Sequence, residues 1–502
     1  MYLTFDVGTT SMKTGVFNRN FEMVFSDTGE YKLLYPGKNL VELPADFYWE
    51  ALKQGFRAAL ASGISAEKID VITITTQGET LIPIDKEGAP LCNAIVWLDS
   101  RAEQEAAALN QTIPQQDFFR TTGLTDLGGA TPIAKLMWIR KQAPEIYEKT
   151  AHFLLLEDYL IYRLTGQIVS EHSLLSSSGY LDIMKNDYWD EILQLAGVDK
   201  ALLPPIKKCG EIAGNVTAWA AQETGLNPGT PVSTGAMDQI AGALGAGNIR
   251  PGIITETTGT CLAVAATAKT PDFDAVAGKF SIYRHFDDQY IYLPYNPTAA
   301  IILKWFKECF MHALAEKCAA NNISIYQEMD KLAQVSAPGA KGLLLIPHFS
   351  GKLVPDFNED AKGVFYGIGL EHTAGDFIRA VLEGVSYMLR ENLDCLQTAG
   401  IPIAEIRSLG GGSRSDVWMQ IKADICGVPF SRTSQSEAGS LGAAMLGALA
   451  LGHYADAHEL CSTLKTEKSF VPNQENQGIY EQGYQKYLAL YCALESFFKM
   501  KF

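Results

Sequence analysis

The chain opens the same way twice. Residues 2–18 read as strand, polar turn, strand: Leu3 and Phe5 alternate with polar neighbours, and Gly15, Val16 and Phe17 resume the pattern after Gly8-Thr9-Thr10-Ser11-Met12-Lys13. Residues 253–265 repeat the plan around Thr257-Thr258-Gly259-Thr260. Alternating apolar residues broken by a Gly/Thr-rich turn are the mark of a hairpin. Two such openings in 502 residues predict two α/β halves of similar plan rather than one large domain. The polar stretch 248–252, with Pro251-Gly252, sets the expected division into residues 1–250 and 251–502. There is no exact short-period repeat.

Between the openings, Asp46 is placed to cap a helix with apolar positions at Trp49, Leu52, Phe56 and Leu60. A β-branched strand over 69–74 ends in Thr75-Thr76-Gln77-Gly78-Glu79, and short strands follow at 81–84 and 94–97. Residues 102–220 read as mostly helical. Strand pattern returns at 230–234 and runs into Gly235-Ala236-Met237-Asp238-Gln239, then a helix over 240–245. The second half carries a long helix from Ala374 to about Cys395, then Gly410-Gly411-Gly412-Ser413, a helix ending at Cys426, and another after Ser436. That last helix contains the longest apolar run, 441–452. It is too short to cross a bilayer, and its alanines and glycines predict a tightly packed core helix.

Charge narrows the function. A net charge of −16 with no Lys/Arg block disfavours nucleic acid and anionic membranes and favours small-molecule chemistry. Nine cysteines, an odd number with no C-x-x-C, argue for a reducing compartment rather than a disulfide framework or zinc ribbon. The first residues lack a basic leader and place Asp6 inside the apolar stretch, so the expected location is cytoplasmic. The eight histidines show no ligand spacing, no H-E-x-x-H and no Ser-His-Asp pattern.

Five segments can carry chemistry. In the first tip, Gly8, Thr9, Thr10, Ser11 and Lys13 offer amides, hydroxyls and an ammonium to a phosphate, and Asp6 suits Mg²⁺; a plain turn is the competing reading. Gly8-x-x-x-x-Lys13-Thr14 is not a P-loop, since the glycine before the lysine is missing and a strand follows. Gly259 and Thr260 in the second tip gain weight by pairing with the first: two tips can grip one triphosphate. Gly410, Gly411, Gly412 and Ser413 suit close approach of a ligand or a mere connector. Asp238 suits either proton acceptance from a hydroxyl or a helix N-cap. Gln77, Gly78 and Glu79 with Trp97 suit a polyhydroxylated ligand, while Asp99 and Arg101 fit that pocket or a structural ion pair equally.

Together, and in order along the whole chain, these segments resemble the FGGY family of carbohydrate kinases, which includes xylulose, glycerol, ribulose and gluconate kinases. Gly363, Gly367, Asp376-Phe377, Ala380 and Glu383 match its second signature; Pro132, Lys135-Leu136, Trp138 and Ile139 nearly match its first, with Ala130 departing. The resemblance implies two actin-like (ribonuclease-H-like) ATPase domains around a cleft, with sugar held mainly by the first and adenine by the second. It implies ATP and Mg²⁺ as cofactors, Asp238 as catalytic base, and Asp6 and Asp238 at the metal. Phosphates fall to Gly8, Thr9, Thr10, Ser11, Lys13, Gly259 and Thr260, and the adenosine side to Gly410–Ser413. Sugar falls to Gln77, Gly78, Glu79, Trp97, Asp238 and Gln239. Gln77-Gly78-Glu79-Thr80 departs from the Q-M-H-G of xylulose kinases and the Q-R-E-T of glycerol kinases, and Gly351-Lys352-Leu353 from the family's G-E-R. The leading expectation is a ketopentose such as D-xylulose, giving the 5-phosphate. A polyol or sugar acid is the alternative, then a non-kinase actin-like ATPase. Partners are a small sugar or polyol, with no nucleic acid and no membrane; a homodimer is the family-level expectation.

Overall fold

The computed structural model describes residues 1–433 and 437–500. Both openings fold as hairpins, and each seeds a sheet. In the first sheet, Tyr2–Val7 pairs antiparallel with Ser11–Phe17, which pairs with Met23–Glu30. On its other side Tyr2–Val7 runs parallel to Val71–Thr76, and that strand parallel to Pro231–Ser233. Ile212–Asn215 closes the edge antiparallel. The second sheet repeats this around Gly252–Thr258: antiparallel Leu262–Ala268 and Tyr290–Leu293 on one side, parallel Ile403–Leu409 and Phe430–Thr433 on the other, and antiparallel Thr466–Phe470 at the edge. A further strand, Ser281–Arg284, extends the Tyr290–Leu293 edge. Both halves therefore have the mixed order expected of actin-like ATPase domains, with helices supplying the parallel crossovers.

Local sequence explains the parts. Val71–Thr76 is buried at every position, as a central parallel strand covered on both faces must be. Ala45–Ala61 turns Tyr48, Trp49, Leu52, Phe56 and Ala59 inward at helical spacing. Asp46 does not cap this helix. Pro44, with its fixed φ, holds the cap position, and the Asp46 carboxylate in the first turn instead accepts from Arg163 and Tyr159.

The halves are joined by crossed helices. Ala438–Ala450, late in the chain, lies along strands Tyr2–Val7 and Val71–Thr76 of the first sheet. Asp238–Gly245, from the first half, places Ile240, Ala243 and Leu244 in one buried cluster with Ala265 and Ile291 of the second sheet and Leu441 of the crossing helix. Small residues permit the crossing: a Cβ at Gly442 would lie 1.9 Å from the Ala241 carbonyl oxygen, and one at Gly245 2.0 Å from that of Ala438. The chain leaves this joint through wholly buried Asn248, whose amide donates to the Ala265 carbonyl at 2.9 Å. Residues 102–220 also reach the second domain, where the Ile282 amide donates to the Gly123 carbonyl at 2.8 Å. Among the described residues no helix is long and apolar enough to cross a membrane.

Candidate active site

Two cavities meet at Asp238. The smaller, about 310 Å³, is walled by Asp6, Gly8, Ser11 and Lys13 of the first hairpin, facing Thr257 and Gly410 of the second domain. The larger, about 890 Å³, is walled by Gln77, Gly78, Glu79, Trp97 and Thr9 on one side and by Tyr283, Tyr295 and the 353–357 loop on the other. Asp238 and Gln239 border both.

The peptide leading to Asp238 is fixed from beneath. The Gly235 amide donates to Glu157 at 2.8 Å and the Met237 amide to the Ser173 hydroxyl at 3.1 Å, while the Thr75 hydroxyl donates to the Ala236 carbonyl at 2.5 Å. Ser173 is itself held by Glu171. No side chain fits at Gly235, where a Cβ would lie 1.8 Å from the Ile74 carbonyl oxygen. Asp238 then begins a helix. It occupies the first turn rather than the cap, and its Oδ1 accepts from the Gln239 amide at 2.6 Å. Glu171, His172 and Cys209 bring three ligand atoms within 4.8 Å of one another in the same buried layer. Glu171 is already committed to Ser173, Leu174 and Cys209, so the cluster reads as scaffold.

Enclosure sets the electrostatics. Burial, then the nearby Asp6 charge, lifts Asp238 to about 7. Burial lifts Asp6 to about 6 against the pull of Lys13. Burial lifts Glu79 to about 7 although Lys135 opposes it, and the same enclosure lowers Lys135 to about 8. Each carboxyl keeps partial contact with its cavity. Two carboxyls whose negative charge is disfavoured, facing one cavity beside a Gly/Thr tip, form an oxygen donor set that suits a hard divalent cation.

The residues singled out in the sequence divide as follows. Asp6, Gly8, Ser11, Lys13 and Gly410 line the smaller cavity; Thr9, Gln77, Gly78, Glu79 and Trp97 line the larger. The Trp97 indole donates to Thr9 at 3.0 Å and so ties the first hairpin tip to the wall of the larger cavity. Thr10, Gly259, Thr260, Gly411, Gly412 and Ser413 lie outside both walls. Gly412 backs onto Thr258, where a Cβ would meet the threonine side chain at 2.8 Å, and the Ser413 hydroxyl returns to the Gly410 carbonyl. Asp99 and Arg101 resolve as a structural pair completed by Glu42, with the Val41 amide donating to Asp99. The second-signature residues are structural too: Asp376 makes a capping box with Thr373, and Glu383 pairs with Arg379. Sequence reasoning missed Glu437, whose carboxylate holds Lys13 at 2.6 Å across the cleft, and Glu157 and Ser173 beneath Asp238. It also gave no role to Lys135, the lysine of the first signature, although that match was itself a signal.

A duplicated actin-like fold whose interdomain cleft joins two cavities at a carboxylate suits phosphoryl transfer to a small molecule. The family comparison gives the same class: the N-terminal domain of the FGGY family of carbohydrate kinases matches residues 1–245 and its C-terminal domain residues 254–451. The chain belongs to the FGGY family and is a carbohydrate kinase, using ATP as phosphate donor. It is 30% identical over 492 residues to a xylulose kinase of Staphylococcus epidermidis, covering 97% of this chain and 96% of that one. It is 29% identical over 451 residues to a gluconokinase of Bacillus subtilis, covering 90% and 87%. The crystal structure of xylulose kinase from Rhodospirillum rubrum superposes with a TM-score of 0.89 at 26% identity, covering 99% of each chain.

Proposed function

We propose that this kinase transfers the γ-phosphoryl group of ATP to a hydroxyl of an open-chain ketopentose, D-xylulose giving the 5-phosphate being the leading case. The observation that carries this reading is the position of Asp238, at the junction of a Gly/Thr-lined cavity suited to phosphates and a larger one lined by Gln77, Glu79 and Trp97. The xylulose kinases among its relatives support the choice of sugar.

The Asp238 carboxylate orients the substrate hydroxyl and accepts its proton. The new bond forms between that oxygen and the γ-phosphorus, the bond to the β,γ-bridging oxygen breaks, and ADP carries away the electron pair. Gly8, Ser11 and Lys13 bind the phosphates from the first domain, Gly410 from the second, and Gly259 and Thr260 steady the second tip. Asp6 and Asp238 would hold Mg²⁺, which supplies charge neutralisation on the phosphates. Gln77, Glu79 and Gln239 orient the sugar, and Trp97 walls it. The unpaired state of all nine cysteines supports a reducing, cytoplasmic setting.

The test is ADP release with Mg-ATP across D-xylulose, D- and L-ribulose, L-xylulose, glycerol, erythritol, xylitol and gluconate, repeated with Asp238→Ala. One ketopentose should dominate, and the variant should lose at least ~10²-fold in kcat. Wild-type turnover by the variant would refute the role of Asp238, and dominance by another class would refute the choice of sugar.

A further inference from the structure

We infer that the larger cavity is built to take an uncharged polyhydroxy chain and to reject sugar acids, with Glu79 and Asp126 as the residues that set this choice. The inference rests on the kinase reading and sharpens its substrate class.

The wall carries three carboxyls, Glu79, Asp126 and Asp238. Tyr283 lines the same cavity and feels the charge of all three. Among the described residues on that wall, Lys279 is the only cation, and it stands exposed beside Gly278. Lys135 cannot serve a ligand. It is wholly buried behind Glu79, with its ammonium donating to the Val96 carbonyl at 3.0 Å and the Glu79 carbonyl at 3.4 Å. Nor is there room for a cation at position 78: a Cβ on Gly78 would lie 2.8 Å from the Ser177 hydroxyl and 3.3 Å from the Met237 sulfur.

The remaining polar groups point the same way. The Gln77 amide nitrogen donates inward to Thr80 at 3.2 Å and Tyr48 at 3.5 Å, leaving its oxygen buried without a partner beside the cavity. Three carboxyls and a free amide oxygen make a wall of acceptors, and such a wall is satisfied by a ligand that brings hydroxyl donors. A ligand carboxylate brings acceptors and a further negative charge into an enclosure already walled by three carboxyls, where burial disfavours charge on Glu79. Glu79 also holds a left-handed backbone, φ 55°, in a non-glycine residue. Strain of that kind persists where the surrounding structure fixes a side chain in place.

The experiment compares matched pairs with Mg-ATP, D-xylulose against D-xylonate and D-sorbitol against D-gluconate. It follows ADP release, and follows binding by calorimetry in the presence of ADP. The better neutral compound should exceed its acid by at least ~100-fold in kcat/KM, as expected where like charges are brought together. Glu79→Gln combined with Asp126→Asn should narrow that ratio at least ~10-fold through tighter binding of the acid, with melting temperature reporting that the variant is folded. If an acid matches or exceeds its neutral partner, this inference fails and the kinase reading stands. If discrimination holds but the double variant leaves the ratio unchanged, the assignment to Glu79 and Asp126 fails. If none of the four compounds binds or stimulates ADP release, the ketopentose reading falls and takes the inference with it.

Discussion

With Asp238 as the proposed base, its raised proton affinity predicts a pH dependence whose direction can be worked out. A base works only when ionised. With its pKa near 7, about a tenth of the enzyme carries the Asp238 carboxylate at pH 6 and about nine tenths at pH 8. The expected kcat/KM for ATP therefore rises roughly tenfold between those values, where an ordinary aspartate would give a flat profile. Asp6→Asn removes the neighbouring negative charge, so the break should move to lower pH even as overall activity drops. Saturating Mg-ATP should shift the break the same way in kcat/KM for the sugar. Stability runs in the opposite sense. The folded enzyme binds protons at Asp238 that the unfolded chain, with its ordinary carboxyl near pH 4, has released. Stability of the nucleotide-free enzyme thus falls as pH rises from about 4 through about 7. Three pKa units set an upper bound of roughly 4 kcal/mol for this residue. A stopped coupled assay, with ADP quantified after quenching at each pH, measures the profile, and urea titrations measure the stability. A flat kcat/KM from pH 6 to 8 in folded enzyme, or a break near pH 4, would refute the argument that enclosure and Asp6 tune this carboxyl.

Other perturbations test the supporting structure. Gly442→Val forces a side chain into the Ala241 carbonyl at the helix crossing; it should cost at least ~2 kcal/mol in urea unfolding, and an unchanged midpoint would contradict the packing. Glu157→Ala strands the buried Gly235 amide. The expected loss is about 1–3 kcal/mol of stability together with a fall in kcat larger than any change in KM for ATP, read from unfolding and steady-state kinetics on the same preparation. Lys13→Met removes both a proposed phosphate-side cation and the partner of Glu437, so KM for ATP should rise about 10-fold or more while the sugar affinity measured without nucleotide stays within twofold.

The hairpins were legible because they are local. Alternation at Leu3 and Phe5 and the Gly/Thr tips state strand and turn within a dozen residues, and the second copy near Thr257 states the duplication. Asp238 was legible only in part: its sequence neighbours suit a cap as well as a base, and the structure removes the cap, placing it in the first turn of the helix where two cavities meet. What the sequence hid lies far apart along the chain. Glu437 reaches Lys13 across 424 positions, and Glu157 reaches Gly235 across 78. Neither carries a local mark beyond being an acidic residue. Asp46 misled for a simpler reason, since a good capping residue stood two places after a proline that already fixed the entry to the helix.

The same long-range organisation explains why Asp238 sits where it does. The loop 235–237 belongs to the first domain, pinned by Glu157, Ser173 and Thr75. From Asp238 onward the chain is a helix that reaches the second sheet through Gly242, Ala243 and then Asn248. The carboxylate therefore stands at the point where one domain passes into the other. Close to it the domains meet at the crossing of Gly245 on Ala438 and Gly442 on Ala241, and they meet again where the Ile282 amide donates to the Gly123 carbonyl. Pinned on one side by the 235–237 loop and continued on the other by the helix that enters the joint, the carboxylate is held at the junction of the two cavities, the position that the proposed base requires.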